Sequence, residues 1–325
     1  MPVKLSYVDS YAYYGRCLQM ENDCLTLLIT VDVGPRIIYL APKGGENLLY
    51  NAKEGTRIDR SPMYKQVFGE DAEYHFYGGH RMWLAPQRLI HTESPDSVPV
   101  TVSEVENGVT LTCPEAEVIG FVSSMTVVMD PDQPRITVTC SFTNTHDEPK
   151  QNAVWQVTQC APGGVVFVPF SDAPKPRKPF SAWTLEDVSA PLRPTASLLK
   201  FLGSIRDPRI GIDDAYLTLS FDAARHPLKL GTQNTQGFAL YANRGYLLRW
   251  DFDHDPNGIY TDGGCSFETY TDSEFTEVES LGQYLPFGKG ETITHTETIC
   301  VQPLKAPIPD LHDRAAVQAF VELHL

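Results

Sequence analysis

Short runs of alternating or β-branched residues, each ending at a turn signal, dominate the sequence, and this pattern most constrains the fold. Residues 121–129 and 135–143 (FVSSMTVVM and RITVTCSFT) flank the turn cluster DPDQP, and a second pair of runs flanks Asn107-Gly108. An Asn-Gly pair between such runs is the strongest short hairpin signal. Strands at this spacing predict a sandwich or barrel. About fifteen or more strands are too many for one open sheet, so we expect an all-β fold with stacked or curled sheets.

Helical periodicity is clear only at the C-terminus. Residues 313–325, DRAAVQAFVELHL, follow Pro307 and Pro309 and begin at an acidic N-cap, which predicts a short helix. Residues 173–192 are rich in proline and basic residues without any period, which indicates a long surface excursion. With 325 residues and no internal repeat, the simplest prediction is a single domain over residues 1–325.

Composition and charge restrict the classes of partner. The formal net charge is −15 and lysine and arginine form no sustained cluster, which argues against nucleic acid and anionic membranes as partners. No window approaches the roughly 18 apolar residues of a membrane span. The N-terminal residues lack the features of a signal peptide, so we expect a cytoplasmic location. A small neutral polar molecule, such as a carbohydrate, is the favoured partner, and the oligomeric state is left open.

The sequence predicts neither a metal ion nor a cofactor. Its seven cysteines are scattered singly, without a CxxC or Cys/His ligand spacing. Residues 253–258, DHDPNG, match the opening half of an EF-hand calcium loop, but the twelfth position is Gly264 and Pro256 interrupts the loop. We interpret this segment as a tight turn. No phosphate loop, dinucleotide fingerprint or GxSxG elbow is present.

Two glutamates on one predicted strand are the leading candidates for chemistry. In residues 275–281, FTEVESL, alternation places Glu277 and Glu279 on one face, together with Phe275 and Leu281. The two glutamates are then roughly 7 Å apart along the strand. Like charges on a partly dry face raise at least one pKa, which suits a general base working near neutral pH. The alternative is an exposed strand on which acidic residues only maintain solubility.

A glycine-rich run combines groups that suit a sugar site. In residues 74–87, YHFYGGHRMWLAPQ, two glycines precede His80, Arg81 and Trp83. An indole stacks on the apolar face of a pyranose, and arginine and histidine hydrogen-bond its hydroxyls. His80 is also able to move a proton near neutral pH. The alternative is a glycine turn followed by a half-buried tryptophan, with Arg81 in a salt bridge.

The run AVWQVTQC, residues 153–160, offers a third group of candidates. Alternation places Trp155, Val157 and Gln159 on one face of the strand. A tryptophan and a glutamine that face a cavity would suit carbohydrate binding. The alternative is a core tryptophan on a central strand.

Three segments resemble the galactose mutarotase-like (aldose 1-epimerase) superfamily, in particular a bacterial branch of it. They are VDVGPRIIYLAPKGGENLLYN at residues 31–51, GGHRMWLAPQ at residues 78–87 and EVESLGQYLPFGKGETITHTETI at residues 277–299. The resemblance implies a β-supersandwich of two large stacked, mostly antiparallel sheets with a sugar cleft on the concave face.

The same resemblance implies how the site would work. In the family, a glutamate near the C-terminus acts as general base on the anomeric hydroxyl and a histidine protonates the ring oxygen, so that ring opening interconverts the anomers. By motif position Glu279 corresponds to the base. Residues 78–83 correspond to the sugar-contacting loop, in which His80 and Arg81 would bind hydroxyls.

One strand departs from the family pattern, and this leaves three functions open. The strand that would carry the acid histidine is AVWQVTQ, which contains no histidine. Either His80 supplies the acid in an epimerase, or the protein is a non-catalytic sugar-binding module in which Trp155 is a stacking platform. A third reading is a lyase or glycosidase, which would place a tyrosine or a second carboxylate opposite Glu279. In a retaining glycosidase the two carboxyl groups lie about 5–5.5 Å apart.

Overall fold

The computed structural model describes residues 2–169, 181–183, 207–212 and 215–325. In its first half the strands are β1 (Lys4–Val8), β2 (Cys17–Glu21), β3 (Leu25–Thr30), β4 (Ile37–Pro42), β5 (Ile58–Asp59), β6 (Tyr74–His75), β7 (His80–Ala85), β8 (Thr101–Val105), β9 (Gly108–Thr112), β10 (Phe121–Met129), β11 (Arg135–Asn144) and β12 (Lys150–Cys160). The later described strands are β13 (Val165–Pro169), β14 (Ser181–Trp183), β15 (Ile210–Ile212), β16 (Tyr216–Ser220), β17 (Leu228–Thr232), β18 (Phe238–Asn243), β19 (Tyr246–Phe252), β20 (Phe267–Thr271), β21 (Thr276–Leu281), β22 (Leu285–Phe287) and β23 (Thr292–Pro303).

Helices are few and short in the described residues. They are α1 (Pro62–Phe68), α2 (Leu89–Thr92), α3 (Arg314–His324) and one 3₁₀ turn at Ala12–Tyr14. Asp313 is the N-cap of helix α3, and its carboxylate accepts a hydrogen bond from the backbone N–H of Ala316. This confirms the helix predicted from the C-terminal periodicity. None of the described helices is long and apolar enough to span a bilayer.

Antiparallel pairing builds two large sheets from the described strands. The front sheet has the order β1-β2-β3-β4-β7-β12-β21-β20-β17-β14, with β22 paired to β12, and the back sheet has the order β15-β16-β13-β18-β19-β23-β11-β10-β9-β8. Strands β5 and β6 form a small separate pair. The all-β prediction of two large stacked sheets with a short C-terminal helix is therefore confirmed.

The principal core lies between the two sheets. Alternation gives each strand one inward apolar face, as in β3 with Leu27 and Ile29 and in β10 with Met125 and Val127, and all four side chains are inaccessible to solvent. At about 25 cal/mol per Å² of apolar surface, burial on this scale is the main stabilising contribution to the fold. A second cluster forms where Phe320 and its neighbours on α3 pack on the outer face of the back sheet.

Hairpins occur where the sequence predicts them. Strands β8 and β9 pair around Asn107, which has a left-handed φ of 53°, and Val105 lies opposite Gly108. Strands β10 and β11 pair over nine residues around the proline-rich turn. The surface excursion predicted for residues 173–192 lies largely outside the described residues, and the single domain over residues 1–325 stays a prediction.

The front sheet is joined across its middle by very little pairing. Strand β4 contacts β7 through the single pair Ile37 and His80. Gly79 lies at this junction, with a φ of 76°, and a Cβ there would be 2.4 Å from the carbonyl oxygen of Ile37. The Gly79 N–H donates to Tyr50 O at 2.8 Å, and its carbonyl accepts from the Gln159 N–H at 2.9 Å. Only glycine fits this close approach of three backbone segments.

Candidate functional site

The outer face of the front sheet, which points away from the back sheet, collects polar and aromatic side chains from five strands. Registered pairing across β7, β12, β21, β20 and β17 aligns these residues in rows. The first row is Arg81, Val157, Glu279 and Glu268, the second is Gln159, Glu277, Tyr270 and Lys229, and the third is Trp83, Trp155 and Leu281. Six of the seven residues that the sequence singled out therefore share one face, and the seventh, His80, does not.

A buried lysine links two of the carboxylates on this face. Lys229 Nζ lies 2.9 Å from Glu279 Oε2 and 2.8 Å from Glu268 Oε2. The two carboxylate oxygens are thus no farther apart than the sum of these distances. Burial raises the pKa of both glutamates, and Lys229 opposes this rise. Burial alone would lower the pKa of Lys229, but the surrounding carboxylates outweigh it and raise that pKa, so the lysine stays charged.

Glu277 lies in a different environment from Glu279. It accepts a hydrogen bond from Gln159 Nε2 at 2.9 Å. Burial, and next the charge of Glu279, raise the pKa of Glu277 to about 8. One lysine does not neutralise three buried carboxylates, so the group retains protons at neutral pH, and these titrate as a set rather than as separate residues. One strand face thus carries two carboxylates in different environments, Glu279 against a lysine and Glu277 against an amide.

Two tryptophans form an aromatic surface beside the carboxylates. The rings of Trp83 and Trp155 meet edge to face with centroids 5.1 Å apart. Lys229 Nζ lies 4.4 Å from the Trp155 ring centroid, and the guanidinium of Arg81 lies 4.4 Å from that of Trp83. Both cations are within the range of cation–π attraction, which orients the indoles.

Several buried polar atoms of this face have no hydrogen-bond partner among the residues that the structure describes. The unpaired donors are the indole N–H groups of Trp83 and Trp155, and the unpaired acceptors are Glu279 Oε1, Glu268 Oε1 and Gln159 Oε1. The Trp155 N–H is close enough to lower the pKa of Glu279, but the two groups do not meet in hydrogen-bond geometry. Buried polar groups in proteins are normally paired, and exceptions mark binding or catalytic sites. These atoms offer hydrogen bonds to a polar ligand.

Arg81 ends this face on the side away from Lys229. Its Nη1 donates to the Tyr74 hydroxyl at 2.7 Å and its Nη2 to Asp96 Oδ2 at 3.2 Å. Asp96 also accepts from the buried Arg36 at 2.6 Å. Burial would raise the pKa of Asp96, but Arg36 and Arg81 outweigh it and hold that pKa below its usual value. Two guanidinium groups therefore share one ionised carboxylate.

His80 lies on the opposite face of the sheet, which corrects its predicted pairing with Glu279. It is the first residue of β7, so alternation directs it into the core while Arg81 points outward. Its Nδ1 is 2.9 Å from Thr158 Oγ1 and 3.5 Å from Glu297 Oε1. Burial lowers the pKa of His80 to about 4, so the imidazole is neutral at pH 7.

A polar network surrounds His80 between the two sheets. Ser280 donates to Glu297 Oε2 at 2.5 Å and lies 2.9 Å from His295 Nε2. The indole of Trp250 donates to Thr158 Oγ1 at 3.2 Å. Burial raises the pKa of Glu297 to about 8. This network is separated from the outer face by the backbone of the front sheet and is not part of the candidate site.

No protein-family model matches the chain, and no curated protein matches it. Solved structures do match over most of its length. A galactose mutarotase-like protein from Lactobacillus casei aligns with a TM-score of 0.54 and 12% identity, over 88% of this chain and 100% of that one. A putative aldose 1-epimerase from Klebsiella pneumoniae aligns with a TM-score of 0.55 and 12% identity, over 98% and 86%.

The chain has a galactose mutarotase-like fold. The same fold also matches a TPR-domain containing protein from Parabacteroides distasonis, with a TM-score of 0.56 and 14% identity, over 92% of this chain and 50% of that one. A shared fold does not fix a function. The evidence for a function must therefore come from the residues of this chain.

On this mutarotase-like fold the structure adds two residues that the sequence did not place in the site, Lys229 and Glu268. Lys229 lies 50 residues from Glu279, on β17, whereas Glu268 lies on β20, the strand that directly precedes β21. Alternation within a strand tells which residues share a face, but only the register of β17, β20 and β21 brings these three together. The available signal in the sequence was that acidic and basic residues recur in successive strand runs. This signal does not specify which residues pair across strands.

Proposed function

We propose that the protein is carbohydrate-active and binds a monosaccharide or short glycoside on the outer face of the front sheet. Its reaction would be that of an aldose 1-epimerase, with Glu279 as general base and Glu277 as general acid. The observation that carries this proposal is the pair of carboxylates with different environments: Glu279 contacts Lys229, whereas the pKa of Glu277 is raised to about 8. Pairs of titratable groups whose environments differ in this way supply acid and base roles.

The aromatic surface supports a sugar as the ligand. Trp83 and Trp155 present indole rings next to the carboxylates, and pyranose rings stack on such surfaces. Unpaired indole N–H groups and unpaired carboxylate and amide oxygens lie on the same face, so both donors and acceptors are available to hydroxyl groups. A cytoplasmic location and the exclusion of nucleic acid and membranes as partners stay predictions from the sequence.

The proposed reaction moves two protons and restores both. Glu279 removes the proton of the anomeric hydroxyl while Glu277 gives its proton to the ring oxygen, and the bond between the anomeric carbon and the ring oxygen breaks. The open-chain aldehyde rotates about its first carbon–carbon bond and closes again, with the protons returned. Both oxygens are attached to one carbon, and glutamates two positions apart on a strand are roughly 7 Å apart at Cα, which leaves room for this carbon between them.

The replacement Glu279→Gln tests the proposal. Wild-type protein should accelerate the mutarotation of freshly dissolved aldoses, followed by polarimetry or proton NMR. Glu279→Gln should lower this rate at least about a hundredfold, the usual contribution of a positioned base, while sugar binding measured by calorimetry persists.

The matched control is Glu297→Gln, which makes the same change in an equally buried carboxylate on the other side of the sheet. Its mutarotation rate should stay near that of the wild type. If the wild type binds sugars but accelerates no aldose of a broad panel, the protein is a non-catalytic sugar-binding module. If it binds none, the carbohydrate proposal fails.

Glu268 favours one second candidate, a retaining glycoside hydrolase. It lies directly opposite Glu279 on the neighbouring strand, and both carboxylates contact Lys229. Their separation is compatible with the about 5–5.5 Å of retaining enzymes. Nitrophenyl glycosides distinguish the two functions, because a hydrolase releases nitrophenol and an epimerase does not act on a blocked anomeric oxygen.

A further inference from the structure

We propose that Arg81 and the small cavity beside it bind the carboxylate of an acidic sugar, so that the preferred ligand is a uronic acid rather than a neutral hexose. This inference rests on the proposed function, because it places one more group of the same ligand.

The cavity has a volume of about 50 Å³ and is lined by Arg81, Trp83, His91, Thr92 and Asp96 among others. Roughly 10–15 Å³ on this measure holds one water molecule. The space therefore accepts a group of a few heavy atoms, such as a carboxylate, and is too small for a pyranose ring. A sugar would have to lie outside it and extend one substituent inward.

Two hydrogen-bond donors among the lining residues, Arg81 Nε and the indole Nε1 of Trp83, have no partner among the described residues. The same holds for the acceptor Asp96 Oδ1 and for His91 Nδ1, which donates in only one tautomer of the neutral ring. Arg81 is only 4% exposed, so its Nε–H does not find water at the surface instead. An unpaired buried donor costs about 1–3 kcal/mol, and more when it is charged. An anion that accepts from these groups removes that cost.

The charged groups around the cavity carry an excess of positive charge. Arg36 and Arg81 both contact Asp96, the one carboxylate that bridges them. Glu93 interacts with Arg81 through space, and burial raises the pKa of its carboxyl. Arginine binds carboxylates through charge-assisted hydrogen bonds, which are about twice as strong as neutral ones. The excess cation predicts a monoanionic group.

The register of the sheet sets the distance between Arg81 and the carboxylate of Glu279. Arg81 pairs with Val157, and Val157 pairs with Glu279, so two strand spacings separate the outer residues. Two spacings amount to roughly 9.5 Å. A hexuronate spans this gap with its anomeric carbon toward Glu279 and its carboxylate toward Arg81. The opposite orientation would bring its carboxylate against Glu268 and Glu279.

The same chemistry would also suit a free small anion, and the first experiment addresses this directly. Formate is titrated into wild-type protein by calorimetry, with formamide as the neutral molecule of equal size and with ionic strength held constant. Formate should bind and formamide should not. Equal responses to the two, or no response to either, would contradict a carboxylate site.

The second experiment uses Trp83→Phe, which removes one unpaired N–H and keeps an aromatic ring. No hydrogen bond to a described residue is lost, but the smaller ring loses part of its contact with Trp155 and Arg81, so the free energy of unfolding is measured alongside formate affinity. The affinity for formate should fall roughly tenfold or more, as expected for a hydrogen bond to a charged group. The control is Trp250→Phe, whose N–H already donates to Thr158. That change should lower stability and leave formate affinity unaltered.

The third experiment compares matched sugars, glucuronate with glucose and galacturonate with galactose. The wild type should prefer the acidic member at least tenfold, and Trp83→Phe should reduce this preference. Formate binding without a preference for the acidic sugar would leave a small-anion site and overturn the sugar assignment. Equal binding of neutral and acidic sugars, without formate binding, would overturn the whole inference while the proposed function stands. Formate binding in the absence of any sugar binding would leave only a small-anion site and overturn both the proposed function and the sugar assignment.

Discussion

Glu277 and Glu297 are two buried glutamates with a pKa of about 8 on opposite faces of the front sheet. For Glu277, burial is joined by the charge of Glu279. For Glu297, burial acts almost alone and is opposed by the hydrogen bond from Ser280. The two residues look alike by burial, and unpaired polar atoms lie near both, for example His80 Nε2 on the side of Glu297. They differ in position, because Glu277 lies on the outer face beside the tryptophans and Glu297 lies between the sheets. Position in the fold, rather than pKa, therefore separates a structural role from a proposed catalytic one.

Glu297 should make the stability of the protein depend on pH. Its pKa is near 4.5 in the unfolded chain and about 8 in the folded protein, so folding favours the protonated form. Stability is complete below about pH 4.5 and falls as the pH rises toward 8. The loss reaches on the order of 3 kcal/mol by pH 7. Glu297→Gln keeps the size and neutrality of the protonated acid, so it should remove this slope.

Urea denaturation of both proteins between pH 5 and 8 measures the difference. Contributions from the outer-face carboxylates are present in both and cancel in the comparison, whereas His80 and His295 belong to the network of Glu297 and are neutral over this pH range. The advantage of the variant should grow steadily with pH. A difference that is constant over this range would show that Glu297 is not protonated in the folded state.

At the scale of the element, alternation along single strands was sufficient to predict which residues share a face. The strands β12 and β21 place Trp155 with Gln159, and Glu277 with Glu279, as the period of two requires. His80 shows the limit of the method. The glycines before it suggested a turn, whereas β7 begins at His80 itself, and one residue of offset moves a side chain to the other face. Placing Glu268 and Lys229 beside Glu279 required the register of the sheet, which alternation within a single strand does not give.

The sequence predicted a helix over residues 313–325, close to the observed bounds of α3, and the N-cap of α3 can be tested. Asp313→Ala removes the carboxylate that accepts from the Ala316 N–H at 3.1 Å. The free energy of unfolding should fall by about 1 kcal/mol. Asp313→Asn retains a capping oxygen and should lose much less. Chemical denaturation measures both, and sugar binding should be unchanged because α3 packs on the back sheet. Equal losses in the two variants would argue against capping.

At the scale of the whole molecule, the fold class followed from the sequence because alternating or β-branched runs that end at turn signals dominate the chain. The order of strands in the two sheets did not follow. Strand β12 pairs with β7 and β21, which come from distant parts of the chain, and such long-range choices depend on packing across the core. The resemblance to the family implied two stacked sheets, and the solved structures that match the chain show that fold.

The junction at Gly79 should control how the two halves of the front sheet hold together. Gly79→Ala would bring a Cβ within 2.4 Å of Ile37 O, so the backbone must shift where β4 meets β7. Amide hydrogens of β1 to β4 should then exchange faster than those of β12 and β21. The control is Gly44→Ala, at a similar φ of 73° with no atom within 4 Å, which isolates the cost of the left-handed conformation, about 1–2 kcal/mol. If both variants behave alike, the close approach has no separate effect.

The unpaired atoms on the outer face have a consequence for how a ligand would be found. A polypeptide shaped by stability alone would fill such a surface with hydrocarbon side chains, because each lone donor or acceptor weakens the folded state. A molecule that engages several of them raises the melting temperature as well as occupying the protein. Thermal shift screening of chemical libraries is therefore a sensitive way to identify what this surface binds. The reference is Glu279→Leu, in which carbon replaces an acceptor, so a ligand of this surface should raise its melting temperature less.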